Sequence, residues 1–368
     1  MPIERERGKT TTSIPFSSLY PLMAYAIDIY IIMALSLHRA VRYNQTTTVQ
    51  YILANHTNLN ERDAHGDTPL HIAVNTNNVN MVQLLLAHPN TNKHATNNMG
   101  ANPLHHATWN GNIDIVKLLI NDANYINQQM TNGWTPLHQA TINSHITTMR
   151  YLLRKGANPN IPDIDGHTPI FTAIIFPSNN DITSRQLINM LKIYGANLSH
   201  RDKRGRTLLH FAVERNSITL IRYLLRNGID PNITDNQRWT PLHKVAVKTN
   251  IDIDIAKLLL INGANIRIPT TRGSTPLALA KMYSTKHMVR LLRSYMTNNT
   301  PSIIYDIKTN DNNECIICMD RKKDAIFMPC GHHCSCMICA KIIINDYINT
   351  TCPICRSSID KVATNYST

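Results

Sequence analysis

The chain has 368 residues, of which 43% are hydrophobic, and a formal net charge of +13. That apolar share excludes wholesale disorder, and at roughly 100–200 residues per domain the length calls for two or three domains or one long repeat array. Six of the 37 basic and six of the 24 acidic residues lie from residue 311 onward, so the whole +13 resides upstream, where a basic surface favours acidic partners.

Residues 1–30 form an N-terminal extension that leads into a largely apolar stretch, Tyr20 to Leu37. Arg5, Arg7 and Lys9 ahead of it give it the look of a signal anchor. Asp28 in its middle would cost roughly 2.5–3.5 kcal/mol on insertion into a bilayer. The expectation is therefore an apolar helix capping the segment that follows, with no membrane partner.

From residue 31 a motif recurs. Thr68-Pro69-Leu70-His71-Ile72-Ala73 returns as Asn102-Pro103-Leu104-His105, Thr135-Pro136-Leu137-His138, Thr168-Pro169-Ile170-Phe171, Thr207-Leu208-Leu209-His210, Thr240-Pro241-Leu242-His243 and Thr275-Pro276-Leu277-Ala278, after a worn copy at Leu37-His38-Arg39-Ala40. Measured at the His position the steps are 33, 34, 33, 33, 39, 33 and 35 residues. Thr is a good helix N-cap and Pro fits the first helical position. A second apolar run follows, such as Met81 to Leu86, and glycines such as Gly156, Gly195, Gly228 and Gly263 stop that second helix. One such unit cannot bury its own apolar face, so neighbours must stack.

Period and motif together resemble the ankyrin repeat over residues 31–296, about eight units. The resemblance implies an all-α solenoid of helix pairs with loop fingers along one edge, used to bind a protein. In that family the motif histidine orients the turn, so His38, His71, His105, His138, His210 and His243 are expected to be structural and not metal ligands. The 39-residue step implies about six extra residues near Phe176 to Asp181, expected as a surface loop. The finger Arg201 to Arg206 is locally basic and suits an acidic peptide. No aromatics interleave with it, so nucleic acid is not an expected partner. Residues 31–296 contain no paired carboxylates, nucleophile-and-base pattern or phosphate-cradling loop.

Residues 297–313 read as a polar linker. All eight cysteines follow, between Cys315 and Cys355, which speaks against a secreted disulfide framework and for metal ligands in a reducing compartment. The pattern is Cys315-x2-Cys318-x11-Cys330-x1-His332-x3-Cys336-x2-Cys339-x12-Cys352-x2-Cys355. Eight S/N ligands in four close pairs suit two structural Zn2+ ions, each tetrahedral. Cys334 and His333 are left over, and a register through Cys334 would break the His-x3-Cys spacing.

This pattern resembles the C3HC4 RING finger, most closely those of inhibitor-of-apoptosis and mind bomb proteins, which share the Met328-Pro329-Cys330-Gly331-His332 centre. The resemblance implies a small zinc-stabilised α+β RING domain over residues 314–357, with a tail at 358–368. It also implies crossed pairing, with Cys315, Cys318, Cys336 and Cys339 on one zinc and Cys330, His332, Cys352 and Cys355 on the other. RING domains bind a ubiquitin-loaded conjugating enzyme (E2) and promote transfer to a substrate lysine. Ile317 and Pro353 match positions that contact E2, and Arg356 matches the cation that bridges E2 and ubiquitin. Tyr366, eleven residues past Cys355, matches an aromatic that RING homodimers of this type contribute across the dimer.

The expected function is thus a RING-type E3 ubiquitin ligase acting in the cytoplasm, with the array binding an unknown protein substrate. The alternative is an ankyrin scaffold whose RING only folds or dimerises it. Abundant Asn and Ile and degenerate repeats also resemble ankyrin proteins of large DNA viruses such as poxviruses, which would place the site in host cytoplasm. Those proteins typically recruit a host ligase through an F-box-like segment, where this chain carries a RING of its own.

Overall fold

The computed structural model describes residues 36–55, 58–120, 123–176, 180–248, 253–283, 286–296, 325–328, 332–335 and 361–364. Residues 1–35 lie outside them, and with them most of the apolar stretch. No helix among the described residues is long and apolar enough to cross a membrane.

The chain divides into two units, one up to Asn98 and one from Met99. In the first, helices Leu37–Arg42 and Thr46–Asn55 form one pair, and Pro69–Asn75 and Val79–Leu86 the next. The worn copy is a true repeat: Ser36 caps its first helix, and His38 Nε2 lies 2.8 Å from the carbonyl of Asp67. In the second unit the pairs are Pro103–Asn110 with Ile113–Leu119, Pro136–Ile142 with Ile146–Arg154, and Pro169–Ile175 with Asp181–Ile193. Leu208–Glu214 with Ile218–Arg226, Pro241–Val247 with Ile253–Ile261, and Pro276–Tyr283 with Lys286–Met296 complete it. A short extra helix, Ala123–Ile126, follows the first of these. Within each unit first helices pack on first helices and second on second. Leu104, Ala107, Leu137, Ala140, Ile170 and Ala173 are fully or almost fully buried between them, as stacking of half-apolar units requires.

In five of the pairs the described turn between the helices holds a left-handed residue. Gly111 supplies it in one repeat, while Asn44, Asn77, Ser144 and Asn216 take it with φ of 54–57° in others. Asn tolerates this conformation better than most residues, which is one reason the chain can use few glycines here.

The inserted residues behave otherwise than expected. Helix Asp181–Ile193 starts fourteen residues before Gly195, whereas Ile146–Arg154 starts ten before Gly156. Four of the six extra residues thus lengthen a helix instead of widening a loop; Pro177 to Asn179 lie outside the described residues. Asn180 caps the extension, accepting the N–H of Thr183 at 2.7 Å. Asp181, in its first turn, accepts the hydroxyls of Ser217 (2.5 Å) and Thr219 from the following repeat. The extra turn buttresses its neighbour.

The remaining strands form a three-stranded antiparallel sheet of order β2-β1-β3, with β1 Ala325–Met328, β2 His332–Ser335 and β3 Lys361–Thr364. Phe327 pairs with His332 and, on its other side, with Val362. A register shift between Ala325 and Ile326 marks a bulge in the first pairing.

Candidate functional site

The motif histidines His138, His210 and His243 are built into the array on both ring nitrogens. The N–H of Thr135 donates to His138 Nδ1 at 3.1 Å, and the Thr135 hydroxyl lies 2.9 Å from the same nitrogen. With Nδ1 accepting, the proton sits on Nε2, which faces the carbonyl of His167 in the next repeat at 3.0 Å. His210 makes the same link from Thr207 to Trp239, and His243 from Thr240 to Ser274. Each ring thus caps its own helix and fastens the repeat that follows. For these three rings the structural expectation is met, with an inter-repeat role that the motif alone does not display.

Burial pushes His138 down to about 4 from its ordinary 6.5, although its bond to the His167 carbonyl pulls upward. Burial lowers His210 and His243 too. The unfolded chain therefore takes up protons between pH 6.5 and 4 that the fold refuses. Stability is complete above about 6.5 and falls as pH drops towards 4, by on the order of 3 kcal/mol from His138 alone. The thermal midpoint is expected to fall across that window and recover on neutralisation. A His138→Phe chain should show a shallower slope, and a flat midpoint in the unmodified protein would sink this account.

Phe171 shows what loss of the ring nitrogens does. It holds the histidine position of its repeat, and the buried Thr168 hydroxyl beside it has no hydrogen-bond partner among the described residues. Ring contacts replace the polar link: Phe171 lies edge-on to Phe211 at 5.6 Å and tilted on His167 at 5.4 Å.

A carboxylate closes each of four fingers. Asp163 Oδ1 accepts the N–H groups of Asp165 (2.9 Å) and His167 (2.8 Å). Asp202 holds Arg204 and Arg206 likewise, Asp235 holds Gln237 and Trp239, and Asp63 holds His65 and Asp67. Burial would raise the Asp163 carboxyl, but His167 and these N–H groups hold it below its usual value. Its other oxygen accepts the Trp134 indole N–H at 3.2 Å. The Asp163, Asp165 and His167 group is therefore a hairpin scaffold. The sequence signal, absent from the motif reading, is an Asp five residues ahead of the capping Thr.

In the second unit, single backbone bonds tie finger to finger. Ile164 N–H donates to Asn132 (3.1 Å), Lys203 to Asp165 (2.9 Å), Asn236 to Arg204 (2.8 Å) and Thr271 to Gln237 (3.0 Å).

The basic finger differs from the expectation in detail, because two of its four cations are engaged by the array itself. Arg201, although exposed, donates from Nε to Gly205 (3.1 Å) and from Nη2 to Thr234 (2.7 Å). Arg206 pairs with the buried Asp202 at 2.8 Å and lies 4.2 Å over the Phe211 ring. Lys203 and Arg204 remain as exposed cations. Two more stand on the following fingers, Arg238 and Arg272, both exposed. Arg238 occupies the position held by Gly66, Gly100, Gly133, Gly166, Gly205 and Gly273 elsewhere, with φ of 61°, a conformation that costs a side-chain-bearing residue roughly 1–2 kcal/mol.

Of the metal ligands expected from sequence, only His332 lies among the described residues, at the start of β2 and in register with Phe327. Cys315, Cys318, Cys330, Cys336, Cys339, Cys352 and Cys355, and with them Ile317, Pro353, Arg356 and Tyr366, lie outside the described residues. The donor set itself suits zinc, which favours thiolate and imidazole in closed four-ligand sites. Strand β3 falls in the residues read as a tail. A four-residue run with two β-branched residues is too short a signal to separate from a loop without its partner strand.

Comparison with known proteins bears on both parts. A family model for ankyrin repeats matches in three copies, over residues 37–130, 117–184 and 178–269. A model for the C3HC4-type zinc finger (RING finger) matches residues 311–362. An ankyrin repeat protein of Fowlpox virus (strain NVSL) is 33% identical over 154 residues, covering 40% of this chain and 45% of the relative. The E3 ubiquitin-protein ligase SP1 of Arabidopsis thaliana is 25% identical over 147 residues, 39% of this chain and 40% of the relative. An ankyrin repeat protein of Rickettsia bellii (strain RML369-C) is 34% identical over 108 residues, 28% of this chain and 31% of the relative. In each of these the matched stretch is less than half of the relative. A RING finger is a zinc-binding module, and ankyrin repeats are protein-binding modules. With the matched ankyrin segments spanning residues 37–269, more than half of the sequence, the chain belongs to the ankyrin repeat family and carries a C3HC4 RING finger after its repeats.

Proposed function

We propose that the chain is a RING-type E3 ubiquitin ligase. The RING finger recruits a ubiquitin-loaded conjugating enzyme, and the array holds the protein whose lysine receives ubiquitin. The observation that carries this reading is the pairing of a repeat array with eight ligands in C3HC4 order. The likeness to a plant E3 ligase supports it.

Cys315, Cys318, Cys336 and Cys339 would hold one zinc, and Cys330, His332, Cys352 and Cys355 the other. The ions serve to fold a module too small for a sufficient apolar core. Ile317 and Pro353 would contact the conjugating enzyme through apolar surface. Arg356 would bridge enzyme and ubiquitin, for which its planar fork of donors suits it better than Lys. The chain forms no covalent intermediate: holding the thioester and the attacking lysine in a productive arrangement lowers the barrier by positioning. Tyr366 would complete the partner's site in a RING homodimer. The proposed place of action is the cytoplasm.

Discharge of a preformed E2–ubiquitin thioester onto free lysine tests these roles. The intact chain should accelerate discharge. Arg356→Ala and Ile317→Ala should each reduce the acceleration at least tenfold, by removing about 1.4 kcal/mol or more of transition-state positioning. Discharge at the intact rate in both variants, with zinc content preserved, would refute the assigned contacts.

A further inference from the structure

We infer that the tips of three successive fingers, around Lys203 and Arg204, Arg238, and Arg272, form a docking strip for an extended acidic polypeptide segment. This deepens the substrate-binding reading above and rests on it for its biological use, but the binding it claims can be measured without it.

Three observations converge. First, the strip is purely cationic. All four side chains are exposed, and none of them makes an ion pair among the described residues. The two acidic residues of these fingers, Asp202 and Asp235, are buried and accept their own finger's N–H groups. The first carboxylate met along the row is the exposed Asp165, one finger before.

Second, Arg238 stands in left-handed backbone where six other fingers use glycine. An exposed arginine is not needed to fill space there, and glycine would relieve the strain. Strain held at an exposed position points to a use for the side chain, and the use consistent with its neighbours is charge.

Third, the backbone ladder fixes the spacing. Asn236 bonds Arg204, and one residue on, Gln237 bonds Thr271. Each crossing is about 4.8 Å and each chain step about 3.8 Å, so Arg204 to Arg272 spans at most about 17 Å. An extended peptide covers that in roughly five or six residues and presents alternate side chains on one face. Acidic residues at every second or third position would meet the cations in turn.

A polypeptide fits better than single-stranded nucleic acid. The tips hold no aromatic on which bases could stack. Trp239, the nearest, is covered by Lys244 at 5.2 Å and lies against His243 at 6.0 Å.

The test is fluorescence anisotropy of the full chain with a labelled octapeptide of alternating Glu and Ser, beside the Gln–Ser version. The Glu peptide should bind, and the Gln peptide should not. Lys203→Ala, Arg204→Ala and Arg272→Ala should each weaken binding about threefold, the ordinary range for an exposed ion pair. Arg238→Gly should weaken it similarly while raising the thermal midpoint, so that lost binding cannot be ascribed to unfolding. Equal binding of both peptides, affinity unchanged in all four variants, or tighter binding of a single-stranded oligonucleotide of equal charge would overturn the inference. Peptide binding by a chain that makes no ubiquitin conjugates would leave the strip standing and remove the ligase reading.

Discussion

Cys352→Ser is expected to abolish ubiquitin transfer and release bound zinc, while leaving the thermal transition of the array where it was. A serine hydroxyl cannot replace a thiolate in a closed zinc site. Structural zinc sites in small peptides are worth about 10–16 kcal/mol, far more than a domain of this size can recover from apolar burial. The array should not notice. It contains no cysteine, and within each unit its described packing runs from one repeat to the next. Zinc content by mass spectrometry under native conditions and a melting curve followed by helical circular dichroism separate the two effects. Undiminished ubiquitin transfer by a chain lacking one zinc would show that the assigned ligand set is wrong.

Gly133→Ala should be among the costliest single-methyl changes in the array. Gly133 has φ of 82°, and an added Cβ would lie 2.7 Å from Asp163 Cα and from the N of Ile164. Those are backbone atoms of the next finger, in the same stretch that donates from Ile164 to Asn132. Left-handed strain of roughly 1–2 kcal/mol therefore adds to about 1–3 kcal/mol for displacing packed backbone. Gly156 is the control: its φ is 93°, but nothing lies within 4 Å of the added atom. Alanine there should cost only the strain. Urea unfolding of both variants measures the difference, expected at about 2 kcal/mol from the packing contribution. Equal losses would mean that the fingers do not pack as closely as described.

These contrasts mark what could be read from sequence. The repeat was legible because one local rule recurs: an N-cap, proline at the first helical position, and an apolar face that a single unit cannot bury. The same rule revealed the first, degraded copy at Leu37 to Ala40, which is helical as expected. Eight ligands in order made the zinc module equally plain. What escaped depended on neighbours in space. Arg201 and Arg206 look like free surface cations in sequence, yet Thr234, Gly205, Asp202 and Phe211 engage them. Arg238 and Arg272 belong with Lys203 and Arg204 only once the ladder between fingers is known. The length of the insertion was legible but not where the structure absorbs it: the second helix of that repeat, Asp181–Ile193, is four residues longer than Ile146–Arg154. Phe171 could be seen as a departure, but the orphaned Thr168 hydroxyl beside it could not.

The most direct test of the central claim is autoubiquitination by the purified, zinc-loaded chain across a panel of conjugating enzymes, with ATP and activating enzyme supplied. The account predicts ubiquitin chains with at least one of them, and their loss in Arg356→Ala. A folded chain holding two zinc ions that forms no conjugates with any member of the panel would contradict it.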